Sequence, residues 1–301
     1  MTLTIEAQRA EPSGSGIVLS ASGLVVDFPL AGRRPLRAVN DVSFDLGAGE
    51  ILGVVGESGS GKTTVGRVIA GFLSPTSGQV KHANTAGTLE TRASTRGYRN
   101  IQMIFQESAA AMNPRLPVWK VIGEAHAPNH AMTGRKRGPD LRARSRALLD
   151  KVGLPEEYLF KRATELSGGE KQRVAIARAL AAEPVVMVCD EAVSALDVSI
   201  RAVILNLFLR VREETGTALL FISHDISVVG HLADRVLVMH DGAAVEVGTT
   251  RQVIDHPHDD YTRRLIAAVP RLERIADGIS SQADDHATAP TAEAVLKANP
   301  R

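Results

Sequence analysis

The stretch GESGSGKTT, Gly56 to Thr64, decides the fold of this chain. It fits the P-loop pattern, in which two glycines are followed by a lysine and a hydroxyl residue. The apolar run Ile51 to Val55 precedes it and the helical pattern TVGRVIAGFL follows it, which is the strand, loop and helix context that this pattern needs. The stretch therefore predicts a phosphate-binding loop in an α/β fold. A glycine-rich turn that only caps a helix is the alternative.

The residues of this loop have separate expected roles. Backbone N–H groups of the loop surround phosphates, and the start of the following helix adds its positive end. We expect Lys62 to reach the β and γ phosphates of a nucleotide, and Thr63 to offer its hydroxyl to Mg²⁺. The candidate ATP-binding residues of the loop are Gly56, Glu57, Ser58, Gly59, Ser60, Gly61, Lys62, Thr63 and Thr64.

The composition is that of a globular protein, and it disfavours a general nucleic-acid-binding protein and a membrane-spanning one. Of the 301 residues, 44% are hydrophobic and 23% are charged, with a formal net charge of +1. This balance leaves no global basic excess for nucleic-acid binding. The sequence has neither an apolar run of about 18 residues nor a signal-peptide pattern. We therefore expect a cytosolic chain that reaches a membrane through a partner.

Strand and helix patterns alternate along the chain. Runs that predict strands are Ile17–Phe28, Ile51–Val55, Ile101–Phe105, Val185–Cys189, Ala218–Ile222 and Arg235–Met239. Helical patterns cover about 62–72, 170–182, 199–214 and 226–232. The runs that begin at 51, 185 and 218 are almost continuously apolar, as in strands buried on both faces of a parallel sheet. The alternation is typical of an α/β fold.

Two acidic residues end the strand-like run VVMVCDE, residues 185–191. Ligands of α/β sheets bind at the carboxyl ends of strands. Asp190 could therefore hold Mg²⁺ through water, and Glu191 could act as the general base for an attacking water. Two solvated acids at a strand end are the alternative, which the P-loop in the same chain disfavours.

His224 follows another apolar run, LLFIS, and is expected at the same edge of the sheet. It could contact a γ-phosphate or hold the water and the base in place. It could equally be a polar loop residue or the neighbour of a helix cap.

The segment LSGGEKQRVAIARAL, residues 166–180, has two readings. Ser167 and Glu170 have the spacing of a capping box, in which the serine caps the helix and the glutamate reaches back to its backbone N–H. A Ser-Gly-Gly turn before a helix could also bind an anion. The residues alone leave both readings open.

The order of these motifs resembles the ATP-binding subunit of ABC transporters over about residues 18–270. The P-loop is followed by FQ at 105, LSGGE at 166, the apolar-Asp-Glu run at 185, SALD at 194 and SHD at 223. The resemblance implies a P-loop NTPase (RecA-like) core with an N-terminal antiparallel β part and an inserted helical subdomain at about 107–180. We place the ATP-binding domain at 17–255, between an N-terminal disordered tail at 1–16 and a C-terminal extension at 256–274; a second disordered tail covers 275–301.

In that family two subunits pack head to tail, and each ATP lies between the P-loop of one and the signature motif of the other. The resemblance therefore implies that Ser167, Gly168, Gly169 and Glu170 contact the ATP of a partner subunit. It implies catalytic roles for Glu191, His224, Lys62 and Gln106, and Mg²⁺ ligation by Thr63, Gln106 and Asp190. Asp197 matches the loop that crosses between subunits. Phe28 is the candidate for stacking on adenine, and an edge-strand aromatic is the alternative.

A closer resemblance is to the oligopeptide/dipeptide (peptide/nickel) importer branch. It rests on IFQESAAAMNPRLPVWKVIGEA and VEVGTTRQVIDHPHDDYTRRLIAAVP, in residues 104–125 and 245–270. It implies a peripheral ATPase on the cytoplasmic face of the membrane that uses ATP and Mg²⁺. The implied partners are a second ABC ATPase subunit, of the same chain or a homologue, two transmembrane permeases and, indirectly, an extracytoplasmic solute-binding protein. A soluble ABC ATPase, or a subunit of a phosphonate-cleavage complex, is the alternative.

Three features of the sequence qualify the resemblance. Glu170 stands where the family usually has glutamine, which brings a negative charge near a phosphate unless the side chain points back into its cap. Cys189 is the only cysteine, so we expect no iron-sulfur cluster. The basic segment 133–146 lacks interleaved aromatic residues, so we expect a solvated face and no nucleic-acid partner.

Overall fold

The structure is a computed structural model, and it describes residues 16–32, 34–83, 88–91, 100–106, 112–126 and 137–268. Residues 1–15 and 275–301 of the predicted tails, the end of the predicted C-terminal extension and residues 133–136 of the basic segment lie outside the described residues. Contacts divide the chain into Met1–Ile266 and Ala267–Arg301, and the fold below is that of the first unit.

The chain alternates strands and helices, as predicted. The strands are β1 (Ile17–Phe28), β2 (Leu36–Gly47), β3 (Ile51–Val55), β4 (Ser77–Ala83), β5 (Leu89–Thr91), β6 (Ile101–Ile104), β7 (Val186–Asp190), β8 (Ala218–Ser223), β9 (Arg235–His240) and β10 (Ala243–Thr249). The helices are α1 (Lys62–Ile69), α2 (Val118–His126), α3 (Arg137–Lys151), α4 (Gly168–Leu180), α5 (Val198–Thr215), α6 (Ile226–Leu232), α7 (Thr250–Asp255) and α8 (Asp260–Ala267). Short 3₁₀ helices cover Glu156–Phe160 and Ala163–Glu165.

A six-stranded sheet in the order β10-β9-β3-β8-β7-β6 forms the core of the nucleotide-binding part. All of its pairings are parallel except that of β10 with β9. Every residue of β3, β7 and β8 is buried, which confirms the prediction made from their continuous apolar runs. Because these three strands are parallel, their carboxyl ends meet at one edge of the sheet.

A four-stranded antiparallel sheet, in the order β2-β1-β4-β5, forms the N-terminal β part. Its inner face shares one hydrophobic cluster with the central sheet, in which Leu24 and Phe44 lie together with Val54 and Leu220. Gly16, which the sequence analysis assigned to the N-terminal tail, accepts a hydrogen bond from the Ala48 backbone N–H over 3.0 Å. Gly16 therefore belongs with this sheet and not with the tail.

Helices α2, α3 and α4 follow β6 and precede β7, and they pack against one another. Helix α2 also contacts the first 3₁₀ helix. This arrangement agrees with a helical insertion, whose limits at about 107–180 stay a prediction because residues 107–111 and 127–136 lie outside the described residues. None of the described helices is long and apolar enough to cross a membrane.

Candidate functional site

The loop between β3 and α1 is closely packed against backbone atoms on its outer side. Gly56 has φ 153°, and a Cβ there would lie 2.1 Å from the Met239 carbonyl oxygen. Gly61 has φ 98°, and a Cβ there would lie 2.4 Å from the Ala38 carbonyl oxygen. Both positions therefore need glycine for conformation and for space. The two glycines allow the tight loop that the P-loop pattern predicts.

Lys62 lies inside this loop and is bound by it. Its Nζ donates to the carbonyl oxygens of Gly56 over 2.7 Å and of Glu57 over 2.6 Å, and to Ser60 Oγ over 3.2 Å. The residue is only 5% exposed. Burial lowers the pKa of Lys62, and the negative charges of Glu191, Asp190 and Glu57 act in the opposite direction. The ammonium group is thus held at the edge where the acidic residues lie.

Thr63 and Asp190 meet across the sheet edge. Thr63 Oγ1 donates to Asp190 Oδ1 over 2.9 Å, although 127 positions separate the residues. Burial is the main cause of the raised pKa of Asp190, and the neighbouring Glu191 carboxylate adds to it. A cation would offset this cost, and hydroxyl and carboxylate oxygens are ligands that Mg²⁺ accepts. The pair therefore fits a magnesium site.

The Glu191 carboxylate lies between two other predicted site residues. Gln106 Nε2 donates to Glu191 Oε2 over 3.2 Å, and His224 Nδ1 lies 3.2 Å from Glu191 Oε1. Gln106 follows β6, Glu191 follows β7 and His224 follows β8. The carboxyl ends of three adjacent strands thus bring these side chains together, as the sequence predicted for the two residues at 191 and 224.

The backbone at Glu191 adopts a conformation that is uncommon for a residue with a side chain. Its φ is 47°, which lies in the left-handed region and costs energy for a residue other than glycine. The Glu191 N–H donates to the Ile222 carbonyl oxygen over 3.0 Å, and Ser194 Oγ donates to the Glu191 carbonyl oxygen over 3.0 Å. Strain held in place by its surroundings is typical of functional sites. No sequence pattern indicated this contact of Ser194.

Ser167 caps helix α4, which confirms the capping box. The Ser167 N–H donates to Glu170 Oε2 over 2.7 Å, and the Glu170 N–H donates to Ser167 Oγ over a long 3.4 Å. The Tyr158 hydroxyl donates to Glu170 Oε1 over 2.5 Å. This hydrogen bond is the main cause of the lowered pKa of Glu170. Both carboxylate oxygens are therefore engaged, and the side chain points back into its own cap.

The signature segment and the predicted crossing loop form a second group of site residues. Gly168 is exposed and Gly169 is buried. A Cβ at Gly169 would lie 2.7 Å from Ile200 Cγ2, so α4 and α5 begin in direct contact. Asp197 is exposed and precedes α5, and its side chain makes no capping hydrogen bond. The exposed residues of this group are accessible to a second molecule.

Three further predicted residues are located by the structure. Phe28 ends β1 with 38% of its surface exposed, and its stacking on adenine stays a prediction. Thr64 lies in the first turn of α1. Cys189 is buried in β7, and burial raises the pKa of its thiol. The expected absence of an iron-sulfur cluster still rests on the cysteine count alone.

A tyrosine far along the chain also contacts the P-loop. The Glu57 backbone N–H donates to the Tyr261 hydroxyl over 2.8 Å. Tyr261 belongs to the segment that resembles the importer branch, and the sequence predicts no role for it. The two residues are 204 positions apart, so no local sequence pattern could predict their contact.

Comparisons with known proteins agree with this geometry. A family model described as ABC transporter matches residues 39–194. The dipeptide transport ATP-binding protein DppF of Haemophilus influenzae is 40% identical over 262 residues, which are 85% of this chain and 79% of that protein. The oligopeptide transport ATP-binding protein OppD of Mycobacterium tuberculosis is 43% identical over 277 residues, 88% of this chain; the match spans 44% of that longer protein.

A solved structure has the same architecture. It is the dimeric structure of a post-hydrolysis state of the ATP-binding cassette MJ0796 bound to ADP and Pi. The similarity has a TM-score of 0.66 at 25% identity and covers 77% of this chain and 99% of that one. The predicted fold class, a P-loop NTPase core, is therefore confirmed. The family match and the 40% identity to an ATP-binding protein lead to one conclusion: this chain belongs to the ABC transporter family and is an ATPase.

Proposed function

We propose that this chain is the ATP-hydrolysing subunit of a membrane importer for oligopeptides, dipeptides or a related solute. The observation that carries the ATPase part is the Glu191 carboxylate held between Gln106 and His224 beside the P-loop. The peptide part is supported by the relatives, which are named for dipeptide and oligopeptide transport. The proposed substrate class thus rests on similarity to these relatives, whereas the proposed chemistry rests on the geometry of the site.

The reaction is attack of water on the γ-phosphorus of ATP. A bond forms between the water oxygen and phosphorus, the bond to the β,γ-bridging oxygen breaks, and ADP and phosphate leave. Glu191 takes a proton from the water. Gln106 and His224 orient the carboxylate that takes it, and the positive charge of Lys62 stabilises the negative charge of the transferred group.

Magnesium is the proposed cofactor beside ATP. Thr63, Asp190 and Gln106 are the residues proposed to hold it, Asp190 through water. When bound, Mg²⁺ would offset the negative charge of the phosphate groups. The support comes from the contact between Thr63 and the buried Asp190, whose oxygen atoms suit a hard cation.

A head-to-tail pair of ATPase subunits is the proposed working unit. Each ATP would lie between one P-loop and the signature residues Ser167, Gly168, Gly169 and Glu170 of the other subunit. Asp197 would lie in the loop that crosses between the two subunits. The dimeric state of the MJ0796 cassette supports this, and so does the long 3.4 Å cap bond of Ser167. A hydroxyl that caps its helix only weakly can turn to a phosphate at little cost. The second subunit is another copy of this chain or a homologue.

Two transmembrane permeases and an extracytoplasmic solute-binding protein complete the proposed importer. The chain would then act as a peripheral subunit on the cytoplasmic face of the membrane. It supplies the ATPase, and the permeases supply the path through the bilayer. A soluble ABC ATPase remains the competing function.

Reconstitution distinguishes the two functions. The full chain is co-expressed with the two permeases, purified, and placed in proteoliposomes with the binding protein. We expect ATP-dependent uptake of a labelled dipeptide or a labelled pentapeptide, and loss of that uptake with Glu191→Gln. Failure of the chain to co-purify with any permease, together with full ATPase activity in their absence, would favour the soluble function.

A further inference from the structure

Tyr261 reaches the P-loop from the C-terminal side of the chain. The residue lies in the first turn of α8 and is 5% exposed. Its ring stacks on His240 with 3.9 Å between ring centroids and 22° between the planes. Its hydroxyl accepts the Glu57 N–H over 2.8 Å. The phenol is thus packed on one side and hydrogen-bonded to the loop at its tip.

The position of Tyr261 is set by the central sheet. Glu246 in β10 accepts the backbone N–H groups of His258 over 2.9 Å and of Asp259 over 3.2 Å. Asp259 Oδ1 in turn accepts the Tyr261 N–H over 2.8 Å. These bonds hold the start of α8 against β10. Burial also raises the pKa of Tyr261, so its hydroxyl stays neutral.

The hydrogen bond acts on one particular peptide group of the loop. The Glu57 N–H and the Gly56 C=O belong to the same planar trans peptide unit, so they point in opposite directions. The N–H is bound by Tyr261, and the C=O accepts a hydrogen bond from Lys62 Nζ over 2.7 Å. Tyr261 and Lys62 therefore hold the two sides of one peptide plane, and a rotation of that plane would break both bonds.

We propose that Tyr261 is a positioning residue for ATP binding: its hydroxyl fixes the Gly56–Glu57 peptide plane and thereby sets the place of the Lys62 ammonium group. Lys62 has three N–H donors, and its three hydrogen bonds all go to loop atoms. Phosphate binding draws on the same donors. When Lys62 binds phosphate, the conformation of the loop depends more on its contacts with the rest of the chain, and the Tyr261 hydroxyl provides one of these contacts. The C-terminal extension therefore contributes to nucleotide affinity.

The test compares Tyr261→Phe with a control in the next residue. Tyr261→Phe removes the hydroxyl and keeps the ring on His240. Thr262→Val removes the hydroxyl of Thr262, which is fully buried and whose Oγ1 has no hydrogen-bond partner among the described residues. Both full-length variants and the wild type are titrated with a non-hydrolysable ATP analogue in the presence of Mg²⁺. Thermal unfolding of each protein is measured without nucleotide.

We expect Tyr261→Phe to raise the Kd for the analogue by roughly 2- to 10-fold, the worth of one hydrogen bond that orders the binding loop. Thr262→Val should leave this Kd at the wild-type value. In the ATPase assay of the assembled complex, Tyr261→Phe should raise KM for ATP more than it lowers kcat. Without nucleotide, the unfolding temperature of Tyr261→Phe should fall by no more than the loss of one hydrogen bond explains, and that of Thr262→Val should stay near the wild-type value.

Two results would overturn the inference. Equal Kd values for Tyr261→Phe and Thr262→Val would show that the hydroxyl does not act on nucleotide binding. A lower unfolding temperature of Tyr261→Phe with unchanged affinity would leave it a purely structural role. The inference rests on the proposed function of the P-loop as the ATP site. Failure of the wild type to bind the analogue would contradict that function. Binding by the wild type with equal Kd values for the two variants would contradict only the role of Tyr261.

Discussion

His224 Nδ1 lies 3.2 Å from Glu191 Oε1, and this contact joins the ends of β8 and β7. The other carboxylate oxygen accepts the Gln106 amide over 3.2 Å. Both oxygens of the proposed base are thus oriented by side chains from neighbouring strands. A base held in this way can take a proton without first being reoriented.

Replacement of Glu191 should separate ATP binding from hydrolysis. Glu191→Gln keeps the size of the side chain but removes the group that accepts a proton. We expect the ATPase rate of the assembled complex to fall by about 10²- to 10⁴-fold, with ATP affinity retained because the Lys62 and Thr63 contacts remain. Glu214→Gln, at an exposed position in α5, is the control. Unchanged turnover in Glu191→Gln would assign the base to another residue.

Replacement of Lys62 should impair both ATP binding and hydrolysis. Lys62→Met fills the same buried space but leaves the carbonyl oxygens of Gly56 and Glu57 without their donor. We expect a fall in ATPase rate of about 10²- to 10³-fold, as for loss of a group that stabilises transition-state charge. Lys151→Met, at an exposed position in α3, serves as the control. Near-normal hydrolysis by Lys62→Met, measured in the complex, would refute the role.

Ser167→Ala should slow hydrolysis more than it destabilises the subunit. The cap bond at Ser167 is long, so we expect the free energy of unfolding to fall by about 0.5 kcal/mol, the low end for loss of an N-cap. If Ser167 donates to the γ-phosphate of a partner's ATP, the ATPase rate of the complex should fall about tenfold or more.

A second capping box in the chain provides a matched control for Ser167. Thr249 and Gln252 form the same pair of hydrogen bonds at the start of α7, with 3.3 Å from the Gln252 N–H to Thr249 Oγ1. Thr249→Ala should destabilise the chain by a similar amount and leave hydrolysis unchanged. Equal effects of the two substitutions on the ATPase rate would show that Ser167 acts only as a helix cap.

The cap at Glu170 should make stability depend on pH. The Tyr158 hydroxyl, followed by the Ser167 backbone N–H, lowers the pKa of Glu170 in the folded state. A lowered carboxyl pKa stabilises the fold above the ordinary pKa, and this stabilisation is lost as the pH falls through the folded-state pKa. Urea unfolding of the wild type should therefore show a loss of stability as the pH falls below the ordinary glutamate pKa of about 4.3.

Tyr158→Phe tests the cause of this shift. We expect it to lower stability at neutral pH and to make the acid loss shallower, because it removes the main cause of the lowered pKa. In a Glu170→Gln background, which cannot titrate at this position, Tyr158→Phe should have the same effect at every pH. A constant difference between wild type and Tyr158→Phe across the same range would contradict the assignment.

The central sheet could be predicted from the sequence because its strands are buried on both faces. The runs at β3, β7 and β8 are continuously apolar, and the site residues Asp190, Glu191 and His224 follow them directly. Strands β2, β4, β5 and β10 were not predicted from their patterns. In β2, LRAVNDVSFDLG, exposed polar residues interrupt the apolar ones, and its pairing with β1 depends on residues elsewhere in the chain.

Local signals located the first turn of α1 better than its end. The P-loop pattern placed the start of α1 at Lys62, but the predicted helix continued to residue 72, whereas α1 ends at Ile69. Gly71 has φ 74° there, and the N–H groups of Phe72 and Leu73 both donate to the Arg67 carbonyl oxygen. This closing turn ends the helix. Tyr158 and Tyr261 act on residues that only the folded chain brings near, so no sequence pattern predicted these contacts.

The absence of a side chain at Gly169 lets the signature segment and the start of α5 lie in direct contact. Because α4 and α5 touch at Gly169 and Ile200, we expect a displacement of Ser167 to shift the segment after Asp197, and the reverse. Substitutions in the two segments should therefore not have independent effects on turnover. The effects of Ser167 and Asp197 substitutions on the activation free energy of hydrolysis should deviate from additivity by about 0.5 kcal/mol or more. This coupling would act within one subunit and would need no residue of the partner subunit.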